Sequence, residues 1–233
     1  MEIIKKYKIV LVLALVVIVG AFFFFNHNDN KALADFVTSY KKFDKAISDF
    51  SVPVFVSNIE GNKTLDQFNT IYTQITASMQ DTRPNGDRLA LTNEAMSLNS
   101  NLLDYLNKTD DLESKAGDAL IELNTKAAAI KNTELRSKAL EIADLSGKEL
   151  DNLSAYKRAV WDKKDITNKL LQNIVNDNGG LSSFIKFLTQ KDNQTKIQSQ
   201  NTDLDRLTKE FGTLINNRTT AYARFQGLAG IKE

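Results

Sequence analysis

The stretch that decides the fold runs from Thr133 to Asn178 and reads TELRSKALEIADLSGKELDNLSAYKRAVWDKKDITNKLLQNIVNDN. It contains no proline, and Gly147 is its one glycine, so little in it would interrupt a helix. One helix of about 45 residues would be roughly 65 to 70 Å long at about 1.5 Å per residue. Helices of that length usually pack against other long helices in a coiled-coil manner. The stretch therefore predicts an elongated helical bundle.

Segments on the N-terminal side carry apolar residues at intervals of three and four, the spacing that lines one face of a helix. The first predicted helix carries Leu33, Phe36, Val37, Tyr40, Phe43, Ile47 and Phe50. We expect it to stop before Pro53, because the residue ahead of a proline is pushed out of the helical region. A second helix is expected from the capping-box sequence at 64–67, a third over about 87–108, and a fourth from Asp110. The fourth carries a heptad-like seam of Leu112, Ala116, Ala119, Leu123, Ala127 and Ile130.

On the C-terminal side, Asn178-Gly179-Gly180 predicts the end of the long helix, because glycine tolerates the left-handed conformation found there. A short helix over about 181–188, a polar stretch over 189–202 and a last helix are expected to follow. The last helix carries Leu204, Leu207, Phe211, Leu214, Ile215, Tyr222 and Phe225. With only two prolines and ten glycines, the chain lacks the frequent turns of sandwiches and barrels. The predicted fold class is all-α, with the helices forming an elongated, antiparallel, coiled-coil-like bundle.

The N-terminal segment predicts a membrane anchor. Seventeen apolar residues run from Ile9 to Phe25, near the short end of the ~17 to 25 needed to span a bilayer as a helix. Lysines 5, 6 and 8 precede the run, which places the N-terminus in the cytoplasm by the positive-inside bias. We expect a short cytoplasmic tail (1–8), a transmembrane helix (9–25), a polar linker (26–31) and an extracytoplasmic helical domain (32–231). The alternative is a signal peptide cleaved at Ala32-Leu33-Ala34, and both interpretations export the domain.

Charge and composition exclude several function classes. Without Glu2 and the three N-terminal lysines, 27 basic and 28 acidic residues remain, so we expect no positively charged surface that would bind nucleic acid. The absence of cysteine excludes disulfides and thiolate metal sites, and the one histidine, His27, cannot form a multi-histidine metal site. No P-loop, dinucleotide fingerprint or nucleophile elbow is present. We therefore expect no enzyme activity, cofactor or metal.

The candidate binding residues are aromatic. Trp161, Tyr222 and Phe225 are candidates for contacting a partner, because aromatic residues, tryptophan above all, are enriched where binding energy concentrates. The alternative for Trp161 is a tryptophan that closes the bundle core. The pairs Asp110 with Asp111 and Asp162 with Asp165 stand among lysine, asparagine and serine, which is typical of an exposed helix face rather than an acid–base site.

The C-terminal part resembles a known family. The sequences Leu207-Thr-Lys-Glu-Phe211, Tyr222-Ala-Arg-Phe225 and Leu228-Ala-Gly-Ile231 lie within 204–233 and are similar to the closing turn of the putative cell-wall-binding lipoprotein family of Gram-positive bacteria. That family carries a lipid-bearing cysteine after its signal, whereas this chain has none, so a transmembrane helix would replace the lipid anchor. The resemblance implies association with the cell wall.

These observations predict a membrane-anchored cell-envelope protein. Its helical bundle would bind a wall component or another envelope protein through an exposed helix face, and the heptad-like seams also allow homo-oligomers. One alternative is a ligand-sensing helical ectodomain that signals through a partner in the membrane. Another is a secreted helical effector, which requires cleavage near Ala34.

Overall fold

The structure, a computed structural model, describes residues 30–57, 84–180 and 182–231, and every regular element in these ranges is an α-helix. Helix α1 covers residues 30–57. The other helices are α2 (Asn85–Asn107), α3 (Asp110–Ala128), α4 (Thr133–Asn176), α5 (Ser182–Thr189) and α6 (Lys191–Ala229). The predicted all-α class is confirmed, and the long helix expected from Thr133 is present as α4.

Helices α1, α3, α4 and α6 form a four-helix bundle in which neighbouring helices run antiparallel. Phe36 near the start of α1 packs edge-on against Phe225 near the end of α6, with ring centroids 4.8 Å apart. Further along the same pair, the rings of Phe55 and Phe211 lie 5.4 Å apart. The apolar faces predicted for α1, α3 and α6 supply most of this core. Their three- and four-residue spacing therefore identified the buried side of each helix.

Helix α2 extends the bundle along the second half of α4. A two-residue turn separates α2 from α3, and there the Thr109 hydroxyl donates to the Leu106 carbonyl at 2.6 Å. α2 packs antiparallel to α4 around a small core made of Leu170, Leu171 and Ile174, flanked by Ala95, Met96, Ile166 and Phe187. Thus α2 and α3 together lie alongside nearly the whole of α4.

The end of α4 has the predicted signals. Asn178 adopts the left-handed conformation with a φ of 51°, and the Gly179 amide donates to the Ile174 carbonyl at 2.9 Å. This is a Schellman motif, in which an amide beyond the helix reaches a carbonyl in its last turn. Asp177 then accepts hydrogen bonds from the Ser183 amide at 2.6 Å and from the Ser182 hydroxyl at 2.8 Å. One carboxylate therefore joins the stop of α4 to the start of α5.

Two boundary predictions were wrong. α1 does not stop before Pro53 but continues to residue 57, with Pro53 and Val54 buried. Burial of the turn that follows Pro53 opposes the cost of a proline inside a helix. The polar stretch 189–202 is helical from Lys191 onward, because no proline or glycine interrupts it and Gln190 alone separates α5 from α6. Residues 30 and 31, assigned to the polar linker, are already helical.

The remaining predictions concern residues that the structure does not describe. The tail (1–8), the anchor (9–25), His27 and the second helix expected from Thr64 lie outside the described residues. Among the described helices, none combines the length and the apolar character needed to cross a membrane.

Candidate partner-binding surface

Trp161 lies on the surface of α4, where 37% of it is exposed. It follows Lys157 by one helical turn, so the two side chains project from neighbouring positions on one face. Most of the side chain is covered by the bundle, and the remainder reaches solvent. An aromatic side chain is therefore available at a defined position on a long helix.

Lys157 fixes the part of α4 on which Trp161 stands. Its ammonium donates to Glu113 at 2.8 Å and also to Asp110, both in the first turn of α3. The same ammonium lies 5.6 Å from the centre of the Phe50 ring on α1. Burial raises the pKa of Glu113, but the hydrogen bonds from Lys157 and Ser154 outweigh it, and the net pKa is lowered. Three helices are thus joined one turn from Trp161.

Tyr222 and Phe225 lie inside the bundle. Tyr222 stacks on Tyr40 with ring centroids 3.6 Å apart, and Phe225 packs against Phe36. Both belong to the apolar face of α6, which holds that helix to α1. Of the three candidate aromatic residues, the structure places Trp161 where a partner can reach it without opening the core.

A charged layer crosses the bundle near its middle. Arg218 of α6 is 3% exposed, and its Nε donates to Oε2 of Glu149, a residue of α4 that is 1% exposed, at 2.5 Å. Its Nη2 donates to Asp44 of α1 at 2.8 Å, and Asp44 is 56% exposed. The guanidinium also lies 5.2 Å from the centre of the Tyr40 ring. One arginine therefore connects three helices, with its charge balanced inside the bundle.

Burial shifts the pKa values of the groups around this arginine. Burial raises the pKa of Glu149, and it raises the pKa of Tyr40 to about 12. In both cases the positive charge of Arg218 acts in the opposite direction and lowers the pKa. For Arg218 itself, burial lowers the pKa, but the charge and hydrogen bond of Glu149, together with Tyr40 and Asp44, outweigh burial and the net pKa is raised. The arginine therefore stays charged, and its charge favours the ionised form of the buried glutamate.

Sequence reasoning missed this charged layer. Two features of the sequence indicate the layer. Arg218 stands at a core position of α6, seven residues after Phe211, and Glu149 stands at a core position of α4. Opposite charges on the apolar faces of two helices predict a buried pair. A single charged residue in a long amphipathic pattern is easily assigned to the exposed face.

A groove of about 360 Å³ opens between α1 and α3. Its apolar lining consists of Ala46, Leu112 and Ala119, and its charged lining of Lys42, Lys45, Asp49, Lys115 and Asp118. The lysines are engaged by carboxylates: Lys42 by Glu122, Lys45 by Asp49 and Lys115 by Asp111. The groove therefore offers a small apolar surface between balanced charges.

Three of the four carboxylates considered for chemistry are bound to lysines. Asp110 accepts from Lys157, Asp111 from Lys115 and Asp165 from Lys169. Within the described ranges, no group of three or more histidine, cysteine, aspartate or glutamate side chains is arranged to hold a metal ion. Lys164, buried in the second half of α4, has its pKa lowered to about 8, chiefly by burial and then by the charge of Lys163.

No protein-family model, curated protein or solved structure matches this chain.

Proposed function

We propose that this chain is a non-enzymatic, membrane-anchored cell-envelope protein whose extracytoplasmic bundle binds a wall component or a protein partner through the face of α4 around Trp161. The observation that carries the proposal is the exposure of Trp161 beside the Lys157 junction, where three helices meet. A tryptophan on a helix that is already ordered can bind a partner with little loss of conformational freedom.

The predicted anchor agrees with where α1 begins. The helix is already formed at residue 30, so only residues 26–29 would separate it from the apolar run that ends at Phe25. Ala32 and Leu33 pack against the core, and cleavage after Ala34 would remove them. This favours a retained anchor over a cleaved signal, and it favours an envelope protein over a secreted effector.

A non-enzymatic role is supported by the arrangement of the charged groups. Glu149 pairs with Arg218 of α6, Glu113 of α3 pairs with Lys157 of α4, and Glu122 of α3 pairs with Lys42 of α1. These ion pairs hold helices together. The association with the cell wall implied by the C-terminal resemblance is part of the same proposal.

The topology is tested first. Cells producing the full chain are fractionated, protease is added outside the intact cells, and the intact mass of the protein is measured before and after. We expect a full-length, membrane-bound species that is trimmed from outside. A soluble product that begins near Asp35 would contradict the anchor and favour the secreted effector.

Binding is tested with a matched pair of variants on the same helix. Trp161→Ala and Leu140→Ala each remove an exposed apolar side chain of α4. We expect the wild-type chain and Leu140→Ala to co-sediment with purified cell walls or to cross-link to an envelope protein in intact cells. We expect Trp161→Ala to weaken that association by about thirtyfold or more, since hot-spot truncations cost ~2 kcal/mol or more. Equal binding by both variants would contradict the assignment of the surface.

The groove between α1 and α3 favours ligand sensing as a second candidate function. Its volume of about 360 Å³ falls in the lower range of small-molecule sites. A small ligand that binds there would raise the melting temperature of the wild-type chain, because ligands stabilise the state to which they bind. The variant Ala46→Leu fills the groove and should abolish that shift. A shift of the same size in both proteins would place the ligand elsewhere.

A further inference from the structure

Three chain segments meet at one end of the four-helix bundle. The ring contact between Phe36 and Phe225 and the 3.2 Å ion pair between Lys126 and Asp35 bring the start of α1, the end of α3 and the end of α6 to one level. The turn from α3 into α4 lies just beyond. We call residues 30–36, 126–139 and 222–231 the basic end.

The basic end is positively charged, whereas the rest of the bundle is negative. It contains six basic and two acidic residues. The basic residues are Lys31, Lys126, Lys131, Arg136, Lys138 and Arg224. The other described residues, 37–57, 84–125, 140–180 and 182–221, include 18 basic and 21 acidic residues. The positive charge of the described residues is therefore gathered at one end.

The exposed members of this set come from all three segments. Lys31, Lys131 and Arg224 are exposed, one each from the start of α1, the turn before α4 and the last turns of α6. Leu228, one turn after Arg224 on the same face of α6, is 52% exposed. The acidic members are Asp35, which pairs with Lys126, and Glu134, and Lys138 pairs with Glu141 just beyond this end. The end thus presents cations with an apolar side chain beside them.

We infer that the basic end docks on the anionic lipid headgroups of the membrane that holds the predicted anchor, so that the bundle stands upright on the bilayer. This inference rests on the proposed membrane anchor. Two observations lead to it: the charge is complementary to an anionic surface, and the same end contains the start of α1, which the predicted anchor precedes. Anionic charge at the surface acts over a Debye length of about 8 Å, so it reaches this end of the bundle and not the other.

The orientation determines which part of the molecule faces away from the membrane. α4 has 44 residues and is about 66 Å long at ~1.5 Å per residue, with its start at the basic end. The turn that contains Gly179, and with it α5, therefore stands roughly 65 Å from the headgroups. Trp161, 28 residues into α4, is held about 40 Å above them.

The experiment uses the full chain, which contains no cysteine, so a single introduced cysteine carries a dye. Ala129→Cys labels the basic end, and Lys191→Cys labels the opposite end, where α6 begins. Each labelled chain is reconstituted into vesicles of neutral phosphatidylcholine alone or with phosphatidylglycerol, with an acceptor dye on the headgroups. We expect strong energy transfer from residue 129 and weak transfer from residue 191 when the anionic lipid is present. In neutral vesicles the two values should approach each other, because the bundle then tilts freely about the linker.

The charge is tested with matched triple variants. Replacing Lys31, Lys131 and Arg224 by glutamine should weaken docking by about a hundredfold, since each basic residue near an anionic surface contributes about fivefold. Replacing the exposed residues Lys108, Lys196 and Lys209, which lie elsewhere on the bundle, should leave the transfer unchanged. One outcome would overturn this inference and leave the proposed anchor standing. In that outcome the chain floats with the vesicles, but energy transfer from residue 129 changes neither with lipid charge nor in the first triple variant. If the chain does not float with the vesicles, the anchor is overturned and this inference with it.

Discussion

Arg218 brings a full positive charge into the middle of a helical bundle. Glu149, which balances it, is almost completely buried, whereas Asp44 is half exposed and lies at the edge of the layer. Nη1 of the arginine has no hydrogen-bond partner among the described side chains and backbone groups. Such a pair contributes little net stability, because removing both charges from water costs about as much as their attraction returns. We infer that it supplies specificity, since a shift in the pairing of α4 with α6 would separate the charges.

We expect Arg218→Met to destabilise the chain by about 3 to 5 kcal/mol, because it leaves the Glu149 carboxylate buried without a cation. The double variant Arg218→Met/Glu149→Leu should recover most of that loss, since neither charge is then buried. Urea unfolding of the three proteins measures the difference. A double variant no more stable than the single one would contradict this account.

The same variant should respond to pH. Burial already raises the pKa of Glu149, and removal of Arg218 raises it further. A carboxyl group whose folded pKa lies above its unfolded value contributes stability at low pH, and that stability is lost as the pH rises through the folded pKa. Arg218→Met should therefore regain stability relative to wild type as the pH falls from 7 toward 4.

Gly179 is required by the contact between α2 and the end of α4. Its φ is +83°, and a Cβ atom at this position would lie 2.0 Å from the backbone oxygen of Asn85. Its carbonyl also accepts from Arg88 Nε at 2.7 Å. The sequence predicted the glycine as a helix stop, but it could not predict this second role, because Asn85 is distant in sequence.

We expect Gly179→Ala to lower the free energy of unfolding by more than about 1 kcal/mol, because alanine is strained at positive φ and its methyl group meets backbone. Gly212→Ala is the matched control, since a Cβ atom there meets nothing within 4 Å. It should stabilise α6 by about 0.5 to 1 kcal/mol. Thermal unfolding of both variants measures the two changes in stability. If both variants gained stability, or both lost it, the interpretation would be contradicted.

Helix α1 passes through Pro53, although the residue before a proline disfavours the helical conformation. The proline cannot donate the hydrogen bond that the carbonyl of residue 49 would accept. Phe55, two residues later, packs against Tyr156 and Phe211, and Val54 is buried. Tertiary packing therefore decides where this helix continues, and local preference does not.

We expect Pro53→Ala to stabilise the chain by about 1 to 2 kcal/mol. The restored backbone hydrogen bond and relieved clash favour the variant by ~3 kcal/mol, and the lost apolar contacts of the buried ring offset part of this. Urea unfolding measures the change. A loss of stability would indicate that α1 needs the proline, for example to bend.

The start of α5 depends on Asp177. Its pKa is lowered, first by the Ser183 amide and then by the hydroxyls of Ser183 and Ser182. A carboxyl group with a depressed pKa contributes stability above its unfolded pKa and loses it as the pH falls through the folded value.

We expect Asp177→Ala to speed hydrogen exchange in residues 182–189 at pH 7, and the wild type to show the same change below about pH 4. Asp162→Ala, an exposed change on α4, should alter neither.

Over the whole molecule, local periodicity was sufficient for the buried faces of α1, α3 and α6, and the scarcity of proline and glycine was sufficient for the fold class and for the length of α4. Local periodicity was not sufficient for the Arg218 layer or for the contact of Gly179 with Asn85, because both join residues more than 60 positions apart. It also did not separate Trp161, which is exposed, from Tyr222 and Phe225, which are buried. Aromatic residues suit both a core and an interface, and only packing distinguishes the two.

Among the described residues, the two ends of the molecule have cores of unequal size. The four-helix part contains the large cluster, including Leu153, whereas the described part of the second half is centred on Leu170, Leu171 and Ile174. Both cores use α4, which is continuous between them. Because stability follows buried apolar contacts, the second half should open at lower free energy than the first.

Hydrogen exchange along α4 tests this difference with a matched pair of fully buried leucines. Leu153→Ala should lower protection in residues 142–156 by about 2 to 5 kcal/mol and leave residues 166–176 at their wild-type protection, because the native state and the state in which only the second half is open lose the same contacts. Leu171→Ala should lower protection in both segments, since it destabilises the native state relative to every state in which the second half is open. If Leu153→Ala lowers both segments equally, α4 opens as one unit, and the two cores stabilise a single cooperative structure.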